Sequence, residues 1–289
     1  MTCHGRRDAH GHHHTSMSST LMASVSAIGL AGAAVAYFYR HRRGSDGSSS
    51  YLADVATGQT HHPSALRNRI PILKTLLKVL PDSDSFSGLA LEIASGTGAL
   101  MEVVAPAYPL LTYQPSEFVP EVAAAPAEQW STYGKIGLRH GLDELANIDG
   151  HGSQIFANCL PAVALDLLKT WPAAVTDKPR GFALILVANT LHCTPWECSV
   201  SLLRGAADAL ASDGHLVVYG PFKVGGAFLG ADGGAGNASF DAKLRDNNAT
   251  WGLRDVEELA SLAIGFGLAL RDRAEMPSNN LLLHFVRRA

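Results

Sequence analysis

With 289 residues, 47% of them hydrophobic and 17% charged, the chain can bury a full core, most simply one large domain plus an extra segment. Its net charge of -3, with no basic stripe in the globular part, disfavours a nucleic-acid partner. The cysteines Cys3, Cys159, Cys193 and Cys198 contain no CxxC pair and no zinc spacing, which argues for a reducing compartment and against both a disulfide framework and a metal site.

Residues 1–62 differ from the rest. Leu21–Tyr39 carries no formal charge and is followed at once by Arg40-His41-Arg42-Arg43. A bilayer core needs roughly 20 helical residues, so this segment reads as a membrane anchor that would leave the large domain on the cytosolic side. Asp8 is the one acid before Asp46, which also suits a removable organelle-targeting segment. His12-His13-His14 reads as a solvated tract, and residues 44–62 as a linker with the spacing role of a Gly/Ser-rich chain.

The globular part, residues 63–289, alternates helical and strand patterns. Pro71 is expected to open an amphipathic helix with Ile72, Leu73, Leu76, Leu77 and Leu80 at helical spacing, covering one edge of a ligand site. A buried strand follows at Leu89–Ile93, then a short helix ended by Pro106, a strand at Leu110–Tyr113 and a helical segment over 119–130. Residues 134–153 read as an insertion. Further strands are expected at Ala162–Leu167 and Phe182–Ala188. Thr194-Pro195-Trp196-Glu197 combines a cap, a proline and a glutamate that open a helix to about Leu210. Asp213-Gly214 turns into a strand at His215–Tyr219, and the glycines from Gly225 to Gly236 read as a lid or a disordered loop. A capped helix from Asp255 and strands at Leu268–Arg273 and Leu281–Val286 close the domain. The alternation predicts a doubly wound α/β sheet with helices on both faces.

The densest signal is Glu92-Ile93-Ala94-Ser95-Gly96-Thr97-Gly98, an acid leaving a buried strand into a glycine turn where a ligand can approach the backbone. A dinucleotide fingerprint would place its third glycine at Met101, and a phosphate loop would follow Gly98 with lysine rather than Ala99-Leu100. What remains is the acid-x-G-x-G-x-G pattern of an S-adenosylmethionine (SAM) loop, with Ala94 in the first glycine place.

That loop, Gln114-Pro115-Ser116-Glu117, Ala188-Asn189-Thr190-Leu191-His192 with Pro195-Trp196-Glu197, and Tyr219-Gly220-Pro221-Phe222-Lys223 occur in this order. Asn237-Ala238-Ser239-Phe240-Asp241, Trp251-Gly252-Leu253-Arg254-Asp255 and Met276-Pro277-Ser278-Asn279-Asn280-Leu281 follow. Together they resemble the methyltransferase-like protein 26 family of SAM-dependent methyltransferases, over about residues 63–288. The resemblance implies a Rossmann-like class I methyltransferase fold, a mostly parallel seven-stranded sheet with an antiparallel last strand. It brings a cofactor and no acceptor.

In such a sheet the ligand sits at the carboxyl ends of the strands, where strand order reverses. Glu92 and the backbone of Ala94, Ser95, Gly96, Thr97 and Gly98 are expected to cradle the methionine part and ribose of SAM. Gln114 or Glu117 would hold the ribose, and Asp166 would face the adenine. Asn189 and His192 follow the fourth strand, near the transferred methyl group, with His192 as a base near neutral pH. The absence of an Asn-Pro-Pro-aromatic signature counts against amino-group methylation. Tyr219, Phe222, Lys223, Asn237, Asn279 and Asn280 are candidate liners of a small-molecule acceptor pocket, and Trp251 and Phe240 candidate packing residues. Two other readings stay open: a non-catalytic SAM or S-adenosylhomocysteine binding module, with the pocket filled by Trp251 and Phe240, and a nicotinamide-dependent oxidoreductase.

Overall fold

The computed structural model describes residue 61 and residues 63–119, 145–177 apart from 147 and 151, and 181–288. The apolar runs become strands buried on both faces, as parallel strands covered by helices must be. In chain order the strands of the sheet, central and edge, are β1 (Gly88–Ile93), β2 (Leu111–Glu117), β3 (Val163–Ala164), β4 (Phe182–Ala188), β5 (Leu210–Val224), the short β6 (Ala227–Phe228) and β7 (Arg254–Asp255), β8 (Leu268–Met276) and β9 (Asn280–Arg287). The main path runs β3-β2-β1-β4-β5-β9-β8, with β6 and β7 attached to β5. Strands β3 to β5 pair in parallel, and β9 runs antiparallel to both neighbours. This is the expected class I methyltransferase sheet.

Among the described residues the principal α-helices are α1 (Pro63–Val79), α2 (Met101–Ala107), α3 (Ala173–Thr176), α4 (Trp196–Ala209), α5 (Ala235–Asn247) and α6 (Val256–Gly265). Leu91 and Ile93 of β1, Ile185 and Val187 of β4 and Leu216 and Val218 of β5 share one core with Leu202, Leu203 and Ala206 of α4 and Leu259 and Ala263 of α6. The alternate residues Ala90, Leu184, Leu186 and Val217 are fully buried outside that cluster, on the other face of the sheet. Helix α1 packs on α2, β8 and β9.

Several boundaries differ from the expectations. Helix α1 starts at Pro63, so Pro71 lies in its interior, where Thr75 Oγ1 donates to the Pro71 carbonyl at 3.1 Å; Leu77 faces solvent. The second strand runs four residues past Tyr113, because Gln114 to Glu117 stay paired to β1 and β3 despite Pro115. The third strand shrinks to two residues. Thr194 gives no cap to α4, since its Oγ1 donates to the Leu191 carbonyl at 3.0 Å. Asp255 does cap α6, accepting from Glu257 N.

The glycine-rich segment is ordered by pairing. Gly225 and Gly226, with φ of 58° and 80°, make the two-residue turn of the β5–β6 hairpin, and α5 starts at Ala235. Their amides donate to Glu257 Oε2 at 2.7 Å and to Asp255 Oδ2 at 2.6 Å, which fasten the hairpin to α6. Nearly all of the expected helical segment over 119–130, and the first part of the insertion over 134–153, lie outside the described residues. So does Leu21–Tyr39; among the described residues no helix is long and apolar enough to cross a membrane.

Candidate functional site

The strand order reverses between β1 and β4, and the carboxyl ends of β1, β2 and β4 open there into a cleft of about 1630 Å³. Its lining includes Glu92, Ala94, Ser95, Gly96, Thr97, Glu117, Asp166, Asn189, His192, Asn237 and Asn280. The volume exceeds the roughly 300–1,000 Å³ of a one-ligand pocket and leaves room for two.

Backbone conformation marks the floor. Ala94 follows β1 with φ of 57° and Asn189 follows β4 with φ of 56°, a left-handed region that disfavours a Cβ. Asn189 N donates to the Tyr219 carbonyl at 2.8 Å, and Ser95 N to the Ser116 carbonyl at 2.9 Å, so both turns are held by the neighbouring strand. Gly96, with φ of 58°, has nothing among the described residues within 4 Å of where a Cβ would stand, and it lines the cleft. Gly98 closes the turn from beneath by donating to the Ser95 carbonyl at 2.9 Å and does not line the cleft.

Two carboxyl groups attend the turn. Glu117 Oε2 accepts from Gly96 N at 2.6 Å, and its Oε1 from Phe118 N at 2.8 Å. Glu92 is 2% exposed and accepts from the Tyr113 hydroxyl at 2.9 Å. Burial pushes the Glu92 pKa up to about 8; the Tyr113 bond opposes the rise and Glu117 adds to it. Asp166 lines the cleft while its Oδ1 accepts from Leu168 N at 2.9 Å, capping its own turn.

His192 sits in a 3-10 turn after β4, its ring 5.5 Å from the Phe240 ring in an edge contact. Burial, and next the charge of Arg254, lower its pKa to about 4, so at neutral pH it is an uncharged imidazole rather than a base poised near 7. Arg254, which the motifs contain without a role, sets this charge environment. It is buried and donates to Ser199 Oγ at 3.2 Å, to the Gly252 carbonyl at 2.7 Å and to the Thr194 carbonyl. The cleft-lining thiols of Cys193 and Cys198 are pushed by burial up to about 11 and remain protonated.

Some expected site residues are turned away. Gln114 is buried inside β2 and spends its amide on the Pro161 carbonyl at 2.6 Å and the Pro115 carbonyl at 3.1 Å. Because β5 continues to Val224, Tyr219, Phe222 and Lys223 belong to a packed strand and do not line the cleft. Tyr219 instead orients Asn280, whose Nδ2 donates to its hydroxyl at 3.0 Å. Asn279 contributes a backbone carbonyl, which accepts from Asn237 Nδ2 at 3.1 Å. Trp251 and Phe240 form part of the wall and leave the cleft open; Phe240 is 39% exposed. Pro221, Leu244 and, from α1, Arg67 and Asn68 also line it. Their roles could not be read from period or motif, because they reach the cleft through tertiary packing.

The sequence pattern of the family described as "Protein of unknown function (DUF938)" matches residues 59–287. The chain belongs to this family. DUF938 corresponds to the methyltransferase-like 26 family that the ordered motifs resemble. Among solved structures, the DUF938 chain is similar to TnmH at 23% identity and a TM-score of 0.52, over 78% of this chain and 56% of that one. It is similar to an O-methyltransferase family protein from Burkholderia thailandensis at 16% identity and a TM-score of 0.54, over 77% and 57%. It is also similar to the mitomycin 7-O-methyltransferase MmcR at 20% identity and a TM-score of 0.52, over 84% and 64%. The DUF938 chain thus spans less than two thirds of the length of each, and the likeness establishes the shared fold.

Proposed function

We infer that the protein is a SAM-dependent methyltransferase acting on a small-molecule acceptor. The observation that carries this reading is the charge at the Gly96 turn. A pyrophosphate needs free backbone donors and no negative charge there, yet Gly96 N is bonded to the Glu117 carboxylate. A nicotinamide dinucleotide would be repelled. A ligand with an ammonium group and ribose hydroxyls finds acceptors instead.

When bound, SAM supplies a methyl group activated on a cationic sulfonium. Glu92 would hold the ammonium end, becoming ionised as it does so, and Glu117 would accept from ribose hydroxyls. Asp166 would face the adenine. Asn189 would align the reacting centre from a backbone that β5 keeps rigid. His192, neutral at physiological pH, would accept a hydrogen bond from an acceptor hydroxyl and so orient its oxygen; alignment of this kind carries much of the rate of an in-line displacement. Phe240, Leu244 and Trp251 offer apolar surface in the same lining as the amides of Asn237 and Asn280. The open wall favours an enzyme over a filled binding module.

Parallel calorimetric titrations of the protein with SAM, S-adenosylhomocysteine and NAD test the reading. Micromolar binding of the first two without the third is the expected result; binding of NAD alone overturns it. Membrane attachment through Leu21–Tyr39, with the domain cytosolic, is a separate proposal resting on sequence. Release of the protein from membranes by alkaline carbonate would count against it, and loss of the segment in the mature chain would favour organelle targeting.

A further inference from the structure

His61, in the segment read from sequence as a spacer, is 8% exposed and reaches the cofactor loop. Its Nδ1 lies 2.8 Å from Thr97 Oγ1, and its Nε2 lies 3.2 Å from Glu102 Oε1. The other oxygen of Glu102 accepts from Arg69 Nη1 of α1 at 2.6 Å. An ionised carboxylate only accepts, so the proton of a neutral His61 ring belongs on Nε2, facing Glu102. Nδ1 is then the acceptor for the Thr97 hydroxyl. Thr97 lies between Gly96 and Gly98, both at positive φ, in a turn with little stiffness of its own.

The geometry points to His61 as a positioning residue for the SAM loop, holding Thr97 through Nδ1 while Arg69 and Glu102 fix the ring. The contact ties the chain entering α1 to the turn that meets the ligand. The inference rests on the reading of the cleft as a SAM site, and the test separates the two.

Shape decides the variants. An asparagine at 61 places its oxygen near Nδ1, whereas a glutamine reaches toward Nε2. His61→Ala should weaken SAM binding about tenfold, the equivalent of about 1.4 kcal/mol, and amides 95–102 should exchange with deuterium about tenfold faster in the ligand-free chain. His61→Asn should restore affinity to within about threefold of the unaltered protein, and His61→Gln should not. A ring that served only to dock α1 would be rescued by the glutamine, which keeps the Glu102 contact.

If the unaltered chain binds SAM and His61→Ala binds it equally well, or if glutamine rescues as well as asparagine, the inference is overturned and the SAM reading stands. If the unaltered chain binds no SAM, that reading fails and amide exchange alone decides. Faster exchange over 95–102 in His61→Ala then upholds the loop-holding contact, and unchanged exchange overturns it.

Discussion

The buried carboxyl of Glu92 should make the stability of the protein fall as pH rises, and Glu92→Gln should abolish that dependence. An unfolded glutamate titrates at about 4.3. In the folded chain burial holds the same group up to about 8. Between these values the unfolded chain has released a proton that the folded chain retains, so this group's contribution is complete below pH 4.3 and is lost progressively up to pH 8. Each pH unit in the window costs about 1.4 kcal/mol, or about 3 kcal/mol between pH 5.5 and 7.5. Glutamine cannot titrate and still offers an oxygen to the Tyr113 hydroxyl. Urea unfolding of both proteins, followed by tryptophan fluorescence at pH 5.5, 6.5 and 7.5, should show the stability difference growing in favour of the variant. The other ionisable groups cancel in that difference. A gap constant to within about 0.5 kcal/mol would refute the protonated, desolvated carboxyl. The same proton should leave when an ammonium-bearing ligand binds, so SAM affinity should rise with pH over this range in the unaltered protein and stay flat in Glu92→Gln.

Three further outcomes are expected. Gly96→Val should fold, with a loss of about 1–2 kcal/mol for a branched residue at φ of 58°, and should lose SAM binding in calorimetry because its side chain enters the open cleft; retained affinity would remove the loop assignment. Ala94→Gly should raise the unfolding free energy by about 0.5 kcal/mol, since release of left-handed strain exceeds the entropy of the added glycine, and a clear drop in urea midpoint would contradict this. His192 should show no ionisation between pH 5 and 8 in a nitrogen-15 NMR titration, because burial and Arg254 hold its pKa at about 4; a midpoint near 6.5 would restore it as a base poised for neutral pH.

The strands of the sheet and the glycine turn were legible in the sequence because each is written locally. An apolar run as short as Phe182–Ala188 suits a strand covered on both faces better than a helix, and Gly96, shortly after the acid near the end of β1, lets a ligand approach the backbone. The cap of α6 at Asp255 was legible for the same reason. Element ends were not. The second strand carried Gln114 inward and Glu117 outward to the cleft because strand pairing to β1 and β3 continued past Pro115. The fifth strand likewise absorbed Tyr219, Phe222 and Lys223. A side chain on a strand alternates faces, so an error of a few residues in where the strand stops moves a residue from the ligand to the core.

By itself the sequence determined the fold class, the family motifs and the presence of an acid and a flexible turn at the first strand end. Only the tertiary structure decided which carboxyl groups meet at that turn, that His192 lies buried beside Arg254 and is neutral, and that His61 reaches across to Thr97. Burial, pKa and contacts between residues far apart in the chain are properties of packing, and no local pattern encodes them.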